Sequence, residues 1–201
     1  MPKNITLFAA PFFIIFTSFL LSSCQLIPKA TSPSTTSPTI TPFTTNQMPT
    51  TTINPNSDSI VGLKTKNGEI VIKLYPKEAP NTVANFLSKI QAGFYNNLVF
   101  HRVEPGFVVQ GGDPLGTGTG GGKIKSEINS ILFKRGSVGL ARTAESKEVS
   151  NDSQFFICLS DETCAQLTGE YVNFGEVISG FEVLDKIAVN DKILELTDST
   201  K

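Results

Sequence analysis

The sequence predicts a mainly β protein in which short strands form a closed barrel with two helices at its ends. Three observations support this fold class. Short apolar runs of strand length recur through residues 59–201, an Asn-Gly pair joins the first two runs, and two isolated segments have helical spacing. Strands and helices do not alternate along the chain as they would in a parallel α/β sheet. The length is sufficient for one such domain with a sizeable core and additional segments.

The first element of this domain is a β-hairpin. Residues 60–65 and 69–75 are the two strand-like runs, and Lys66-Asn67-Gly68 lies between them. Asn-Gly between alternating apolar runs is a strong signal for a tight turn between antiparallel strands. The later apolar runs predict strands at about 98–103, 107–110, 137–142, 154–159 and 172–177.

Helical spacing occurs in two places. A helix is predicted from a cap at Asn81 to about Gln91, and Gly93 ends it. The second, shorter helix is predicted within residues 180–187 (GFEVLDKI). The apolar positions of the first helix lie on one face, which is predicted to be core: Val83, Phe86, Leu87 and Ile90.

The first 23 residues have the pattern of an export signal. Lys3 precedes a mostly apolar run over residues 5–21. A transmembrane helix is the alternative, but about 17 residues are at the lower limit for a span, and Pro11 interrupts the run. The signal peptide is therefore favoured.

The end of this run and the three residues that follow it are similar to the lipobox of bacterial lipoproteins: Leu21-Ser22-Ser23-Cys24. That resemblance implies cleavage before Cys24 and lipid attachment to its thiol, so that acyl chains hold an exported protein on a membrane. Residues 24–58 then form a segment of Thr, Ser and Pro with few large apolar groups, which predicts a disordered tether. The predicted organisation is thus 1–23 signal, 24–58 tether and 59–201 folded domain.

Charge and cysteine content exclude several classes of function. A formal net charge of −1 gives no reason to expect nucleic acid as a partner. Cys158 lies in a strand-like apolar run and is more typical of a buried free thiol, although a bridge to Cys164 stays open in an exported protein. The sequence contains no Cys/His cluster with metal-ligand spacing, so neither a metal nor another cofactor is expected.

Two motifs look like functional sites but lack the necessary context. Gly116, Gly118 and Gly121 match G-x-G-x-x-G, yet Asp113-Pro114 precedes them in place of a strand, and no apolar helix follows. A surface loop is favoured over a phosphate loop. His101 is the only histidine, and a hydrolase built around it would need a nucleophile motif such as G-x-S-x-G, which is absent from the sequence. A structural histidine is favoured.

Residues 99–113 (VFHRVEPGFVVQGGD) place Arg102 and Gln110 within an apolar run. Long polar side chains are rarely buried without partners. These two side chains therefore either face solvent or line a pocket.

The same segment carries a family resemblance. From Phe100 to Asp113 it is similar to the cyclophilin signature F-H-R-x-x-x-G-F-x-x-Q-G-G-D. The resemblance spans about residues 60–190, and four other segments agree with the family. They are 79–87 with its first helix, 136–142 with the strand of its peptide groove, 153–157 with its second signature, and 171–175 with the region that closes its pocket.

The resemblance implies a closed, eight-stranded antiparallel barrel with a helix at each end, and peptidyl-prolyl cis–trans isomerase activity. The barrier to peptide-bond rotation is roughly 18–20 kcal/mol and comes from amide resonance. Rotation breaks no covalent bond, so it needs no nucleophile or cofactor. The implied partners are proline-containing segments of unfolded or flexible exported proteins, and a monomer is expected.

Site residues follow from the resemblance, position by position. Arg102 matches the residue that donates to the proline nitrogen as the amide twists, and an arginine stays charged while it does so. Gln110 matches the residue that orients this arginine and contacts the substrate backbone, and Phe107 is the third residue placed at the catalytic centre. The residues matched to substrate binding are Val108, Ala141, Arg142, Gln154, Phe156, Leu167 and Tyr171.

The sequence also departs from the family pattern at several pocket positions. Arg142 stands where many members have Asn, Tyr171 where many have His, Gln166 where many have Trp, and Val108 where Met is frequent. The Trp position puts cyclosporin sensitivity in question. The intact Arg102 favours an enzyme, whereas the altered positions leave open a non-catalytic module or chaperone that binds X–Pro segments.

Overall fold

A computed structural model of the chain describes residues 59–199. The predicted signal (1–23), the predicted tether (24–58) and the predicted lipid attachment at Cys24 lie outside the described residues. Within the described part, no helix is both long enough and apolar enough to cross a membrane. The strands are β1 (Ser59–Thr65), β2 (Gly68–Leu74), β3 (Arg102–Glu104), β4 (Val108–Gly111), β5 (Lys123–Lys125), β6 (Ser137–Leu140), β7 (Val149–Asn151), β8 (Phe155–Cys158), β9 (Val172–Ser179) and β10 (Glu195–Asp198), and the helices are α1 (Pro80–Gln91), α2 (Asp161–Cys164) and α3 (Phe181–Leu184).

Eight strands form one antiparallel sheet in the order β10-β1-β2-β9-β6-β8-β4-β3, and β5 pairs separately with β7. The predicted mainly β fold is confirmed. The closed barrel is not: no ladder joins the edge strands β3 and β10 in the described range 59–199, so the sheet is open. The two edges are tied by backbone hydrogen bonds of 2.7–2.9 Å between residues 97–100 and 190–193, with a single bridge at Val99 and Lys192. We refer to these two segments as the seam.

The predicted hairpin is β1 and β2, joined at Lys66 and Asn67. The predicted runs at 107–110, 137–142, 154–159 and 172–177 correspond to β4, β6, β8 and β9. The run at 98–103 differs, because only its end is in β3 and the rest belongs to the seam. The sequence did not predict β5, β7 or β10.

Helix α1 begins one residue before the predicted cap. Ala79 is the N-cap and Pro80 occupies the first turn, where its missing N–H removes no helical hydrogen bond. Glu127, distant in sequence, caps the helix instead of Asn81. Its carboxylate accepts from the backbone N–H of Asn81 at 3.1 Å and of Thr82 at 2.8 Å. The predicted cap at Asn81 was therefore wrong.

This cap has a pH dependence that can be measured. Burial raises the pKa of Glu127, but hydrogen bonds from Thr82 and Asn81 outweigh burial and hold the pKa below its ordinary value. A carboxyl with a lowered folded-state pKa stabilises the fold above its unfolded pKa, and that contribution is lost as pH falls through the folded pKa.

We expect Glu127→Gln to lower the free energy of unfolding at pH 7 by about 1–2 kcal/mol, the usual size of a lost cap. Urea denaturation of both proteins between pH 7 and pH 3 measures this, and the difference should shrink as the wild-type carboxyl protonates. Glu148→Gln, at an exposed position, is the control. An equal difference at pH 7 and pH 3 would contradict the assignment.

The second predicted helix is shorter than the run 180–187, because α3 comprises a single turn. Helix α2 was not predicted from the sequence. Cys164 at its end forms a disulfide with Cys158 of β8. Cys158 is buried as predicted, but its sulfur is bonded to that of Cys164, so the preference for a free thiol was wrong. The bridge fastens the segment after β8 to the strand itself.

Side chains of the central strands alternate between two faces of the sheet, as the strand period requires. On β8, Phe155 and Ile157 belong to the main core, whereas Phe156 and Cys158 belong to a smaller cluster on the other face. The main core lies under α1, and the stripe predicted from the sequence is confirmed as buried: Val83, Phe86, Leu87 and Ile90.

Candidate active site

The smaller apolar cluster forms the floor of a pocket of about 140 Å³ on the face opposite the main core. The structure brings nine of the ten predicted protein-site residues to this pocket. Its lining is Arg102, Phe107, Val108, Gln110, Ala141, Arg142, Phe156, Leu167 and Tyr171. The tenth, Gln154, lines an adjoining pocket of about 300 Å³ that shares Gln110, Ala141 and Arg142. Most predicted site residues therefore meet at one place.

The floor is apolar and well packed. Phe156 is 4% exposed, and its ring stacks on Phe133 at 5.7 Å and meets Tyr171 edge-on at 5.6 Å. A Cβ atom on Gly139 of β6 would come within 2.2 Å of the Phe156 ring, so any larger residue at this position would clash with the ring. Phe133 does not line the pocket but supports Phe156 from behind, and the sequence did not predict this role. Such a surface suits a small apolar ring.

The polar wall starts with Arg102 on β3, directly opposite Gln110 on β4. Nη1 of Arg102 donates to Oε1 of Gln110 at 3.0 Å. Nε and Nη2 donate to Oε1 of Glu104 at 3.0 and 2.6 Å. The guanidinium carbon lies 5.8 Å from the centre of the Phe107 ring. The sequence did not predict Glu104, although its spacing two residues after Arg102 on a strand could have indicated it.

Gln110 is held in turn by Gln154, which is 3% exposed. Nε2 of Gln154 donates to the carbonyl oxygens of Gly118 and Gly120 at 3.1 and 2.8 Å. Its Oε1 is therefore left to accept from Nε2 of Gln110 at 3.0 Å. Because Nε2 of Gln110 donates to Gln154, Oε1 of Gln110 faces Arg102. The buried amide thus fixes which end of Gln110 faces the arginine.

The glycine-rich loop supplies those carbonyl groups. The buried carboxylate of Asp113 accepts hydrogen bonds from the backbone N–H groups of Leu115, Thr117 and Gly118. Burial raises the pKa of Asp113, but these bonds and one from Gly120 outweigh burial and leave the pKa below its ordinary value. The loop is folded around an internal anion, which agrees with a structural role and not with phosphate binding.

His101 lies outside the pocket lining. Its two ring nitrogens are buried and have no hydrogen-bond partner among residues 59–199. Burial lowers the pKa of His101, while the charge of Asp113 raises it and that of Arg102 lowers it further. The predicted structural role of His101 stays a prediction.

Arg142 contributes to the wall in an unexpected way. Its side chain is only 8% exposed, and Nε and Nη1 donate to the backbone carbonyl oxygens of Glu170 and Thr143, each at 3.0 Å. Its guanidinium carbon lies 4.6 Å from the centre of the Tyr171 ring. The side chain therefore braces the wall that carries Tyr171. A contact between Arg142 and substrate stays a prediction.

The structure places no group of three or more His, Cys, Asp or Glu side chains within residues 59–199 where they could hold a metal ion. The polar groups that do converge on the pocket are a guanidinium and two amides. Such groups can bind and polarise a neutral amide.

Comparisons with known proteins agree with this geometry. Residues 60–199 match the family described as cyclophilin type peptidyl-prolyl cis-trans isomerase/CLD. A peptidyl-prolyl cis-trans isomerase of Helicobacter pylori is 45% identical over 137 residues, which cover 65% of this chain and 81% of that protein. A peptidyl-prolyl cis-trans isomerase of Schizosaccharomyces pombe is 41% identical over 134 residues, covering 64% of this chain and 84% of that protein.

A solved structure is also similar in fold. The crystal structure of a Cryptosporidium parvum cyclophilin type peptidyl-prolyl cis-trans isomerase matches with a TM-score of 0.66 and 33% identity. The match covers 72% of this chain and 99% of that one. Family match, relatives and fold all span the region that builds the pocket. The chain belongs to the cyclophilin family and is a peptidyl-prolyl cis–trans isomerase.

Proposed function

We propose that this isomerase binds the proline ring of its substrate in the 140 Å³ pocket and uses Arg102 as its catalytic residue. The observation that carries the proposal is a fixed guanidinium at the rim of an apolar pocket. Gln110 and Glu104 hold that guanidinium from different sides. The site therefore combines an apolar seat for the ring with a charged donor beside it.

The chemistry follows from the transition state. As the X–Pro amide twists, conjugation is lost and the proline nitrogen gains a lone pair. An N–H of Arg102 donates to that lone pair and stabilises the twisted amide more than the planar one, which is what accelerates rotation. Each 1.36 kcal/mol of such preferential stabilisation raises the rate about tenfold.

The surrounding residues bind and orient the peptide. Phe107, Phe156 and Leu167 enclose the ring, with Val108 and Tyr171 at its edges. Ala141 and Arg142 line both this pocket and its 300 Å³ neighbour, and Gln154 lines the neighbour, where the residues that flank proline would bind. A further crystal structure of the Cryptosporidium parvum protein was obtained in the presence of the dipeptide Ala-Pro; it has a TM-score of 0.64 and 32% identity. We infer that X–Pro segments of unfolded or flexible proteins are the ligands here, bound by a monomer.

The test is cis-to-trans relaxation of Ala-Pro peptides, followed with the full chain purified in detergent. Acceleration well above the uncatalysed rate, which has a time constant of tens to hundreds of seconds, supports the proposal. The residue before proline should be varied, because the wall around Arg142 departs from the family pattern. Binding without acceleration for every residue tested would leave only a peptide-binding module.

We also propose that the enzyme acts on exported proteins and is anchored to a membrane through lipid on Cys24. The support is the sequence alone, with its apolar run, its lipobox-like Leu21-Ser22-Ser23-Cys24 and the Thr/Ser/Pro-rich segment that follows.

We expect Cys24→Ala to abolish incorporation of labelled fatty acid into the protein in bacterial cells. The variant should also be absent from the lipid-modified proteins of the membrane fraction. Ser32→Ala in the tether should change neither. Equal labelling of the Cys24→Ala protein and the wild type would rule out this anchor.

A further inference from the structure

Glu104 lies beside Arg102 on the pocket side of β3, at a position that the cyclophilin signature leaves open. Alternation along the strand packs Val103 against the main core and places Arg102 and Glu104 on the opposite face. One oxygen of Glu104, Oε1, accepts from both Nε and Nη2 of the arginine. The carboxylate therefore engages one whole edge of the guanidinium.

The surroundings of Arg102 do little else to fix its side chain. β3 is an edge strand of three residues, and its ladder partner is β4. The Arg102 side chain is 42% exposed, so close packing does not determine its rotamer. An ion pair this exposed contributes little to the stability of the fold. Its effect is therefore on the orientation of the guanidinium.

Gln110 alone would leave that orientation incomplete. It accepts a hydrogen bond from Nη1 only, and a guanidinium held by one bond can still turn about it. A second contact at the Nε edge fixes the plane. Together the two acceptors use three of the five N–H groups of Arg102. Among residues 59–199, one N–H on each Nη then has no partner and is available to substrate.

We propose that Glu104 is a positioning residue for Arg102, whose acceptor oxygen holds the guanidinium plane so that the remaining N–H groups address the proline nitrogen. The inference rests on the proposed catalytic role of Arg102. It makes the acceptor geometry more important than the negative charge. A glutamine at this position can present Oε1 to Nε in the same way, whereas leucine offers no acceptor.

The experiment uses the full chain in detergent and an Ala-Pro test peptide, with kcat and KM measured separately. We expect Glu104→Leu to lower kcat about 5- to 20-fold while KM stays within about twofold, because misplacing a catalytic group by a small distance costs up to about 100-fold. Glu104→Gln should keep more than about half of the wild-type kcat. In ¹⁵N NMR, the Nε–H proton of Arg102 should exchange faster with water in Glu104→Leu than in the wild type or Glu104→Gln.

The matched control is Glu195→Leu on β10. Glu195 pairs with Lys64 at 2.8 Å and is 46% exposed, close to the 50% of Glu104, but it lies on the opposite edge of the sheet. This variant should leave kcat and KM unchanged.

Three results would overturn the inference: a wild-type kcat in Glu104→Leu, a higher kcat in either Glu104 variant, or an equal loss in both. A higher kcat would show that the carboxylate weakens the charge of Arg102. Arg102→Ala separates the two proposals. If it loses activity while Glu104→Leu does not, only the role of Glu104 fails; if it stays active, the proposed role of Arg102 fails first.

Discussion

Replacement of Arg102 by alanine is expected to lower kcat/KM for an Ala-Pro peptide by about 100- to 1,000-fold, the usual loss when a preorganised donor to the transition state is removed. The apolar floor would remain, so binding of the planar ground state should weaken far less than kcat. Arg102→Lys keeps the charge but loses the planar fork that Gln110 and Glu104 hold. We expect its activity to lie between those of alanine and arginine.

The control for this measurement is Arg135→Ala. Arg135 pairs with Asp185 and lies outside the pocket lining, so its loss should leave kcat/KM within about twofold of wild type. Near-ultraviolet circular dichroism would verify the fold of each variant. A folded Arg102→Ala protein with more than about a third of wild-type kcat/KM would show that the pocket alone catalyses rotation.

Phe86→Ala should have the largest effect on stability, and we expect it to lower the free energy of unfolding by about 3–5 kcal/mol. Phe86 is 1% exposed and joins α1 to the sheet. Its ring lies 5.1 Å from Tyr95, 5.6 Å from Phe155 and 5.2 Å from Phe174. The substitution removes these contacts and leaves a cavity that a rigid sheet cannot fill. Total stabilities of about 5–15 kcal/mol make this a large fraction.

Urea denaturation measures this loss, and Leu132→Ala is the control. Leu132 is 60% exposed, so its truncation should cost less than about 0.5 kcal/mol. Phe86 belongs to the main core, whereas the pocket floor is the smaller cluster on the opposite face. The protein that remains folded should therefore keep kcat/KM within a few-fold. A loss of stability below about 1.5 kcal/mol would mean that the neighbouring rings close over the space.

The sequence predicted the elements whose pattern is local. The hairpin and the apolar stripe of α1 were found because turn chemistry and side-chain spacing act over a few residues. The strands β5, β7 and β10 are not predicted from the sequence, since each has only three or four residues, too few to show an apolar periodicity. The apolar run at 98–103 predicts a strand, yet backbone hydrogen bonds with residues 190–193 shape most of it. Such distant pairing leaves no local pattern.

The site shows the same division. The signature segment identified Arg102 and Gln110 together with the pocket, and these do meet in the structure. Three features depend on contacts that only the folded chain shows. The cap by Glu127 bridges 46 residues, the disulfide depends on where α2 turns after β8, and the bracing of Tyr171 by Arg142 uses backbone carbonyls that any residue could supply. A pattern of residue types does not encode contacts of this kind.

The edge position of β3 has a consequence for dynamics. A short strand with one ladder partner and irregular backbone on one side can open without disturbing the central strands, because local opening costs less free energy than global unfolding. The seam at 97–100 and 190–193 holds the segment that leads into β3. The free energy of local opening should therefore differ between two parts of the domain. It should be high for the core packed between α1 and the sheet, and lower for the edge strand that carries Arg102. Heat or denaturant should therefore impair turnover before it unfolds the domain.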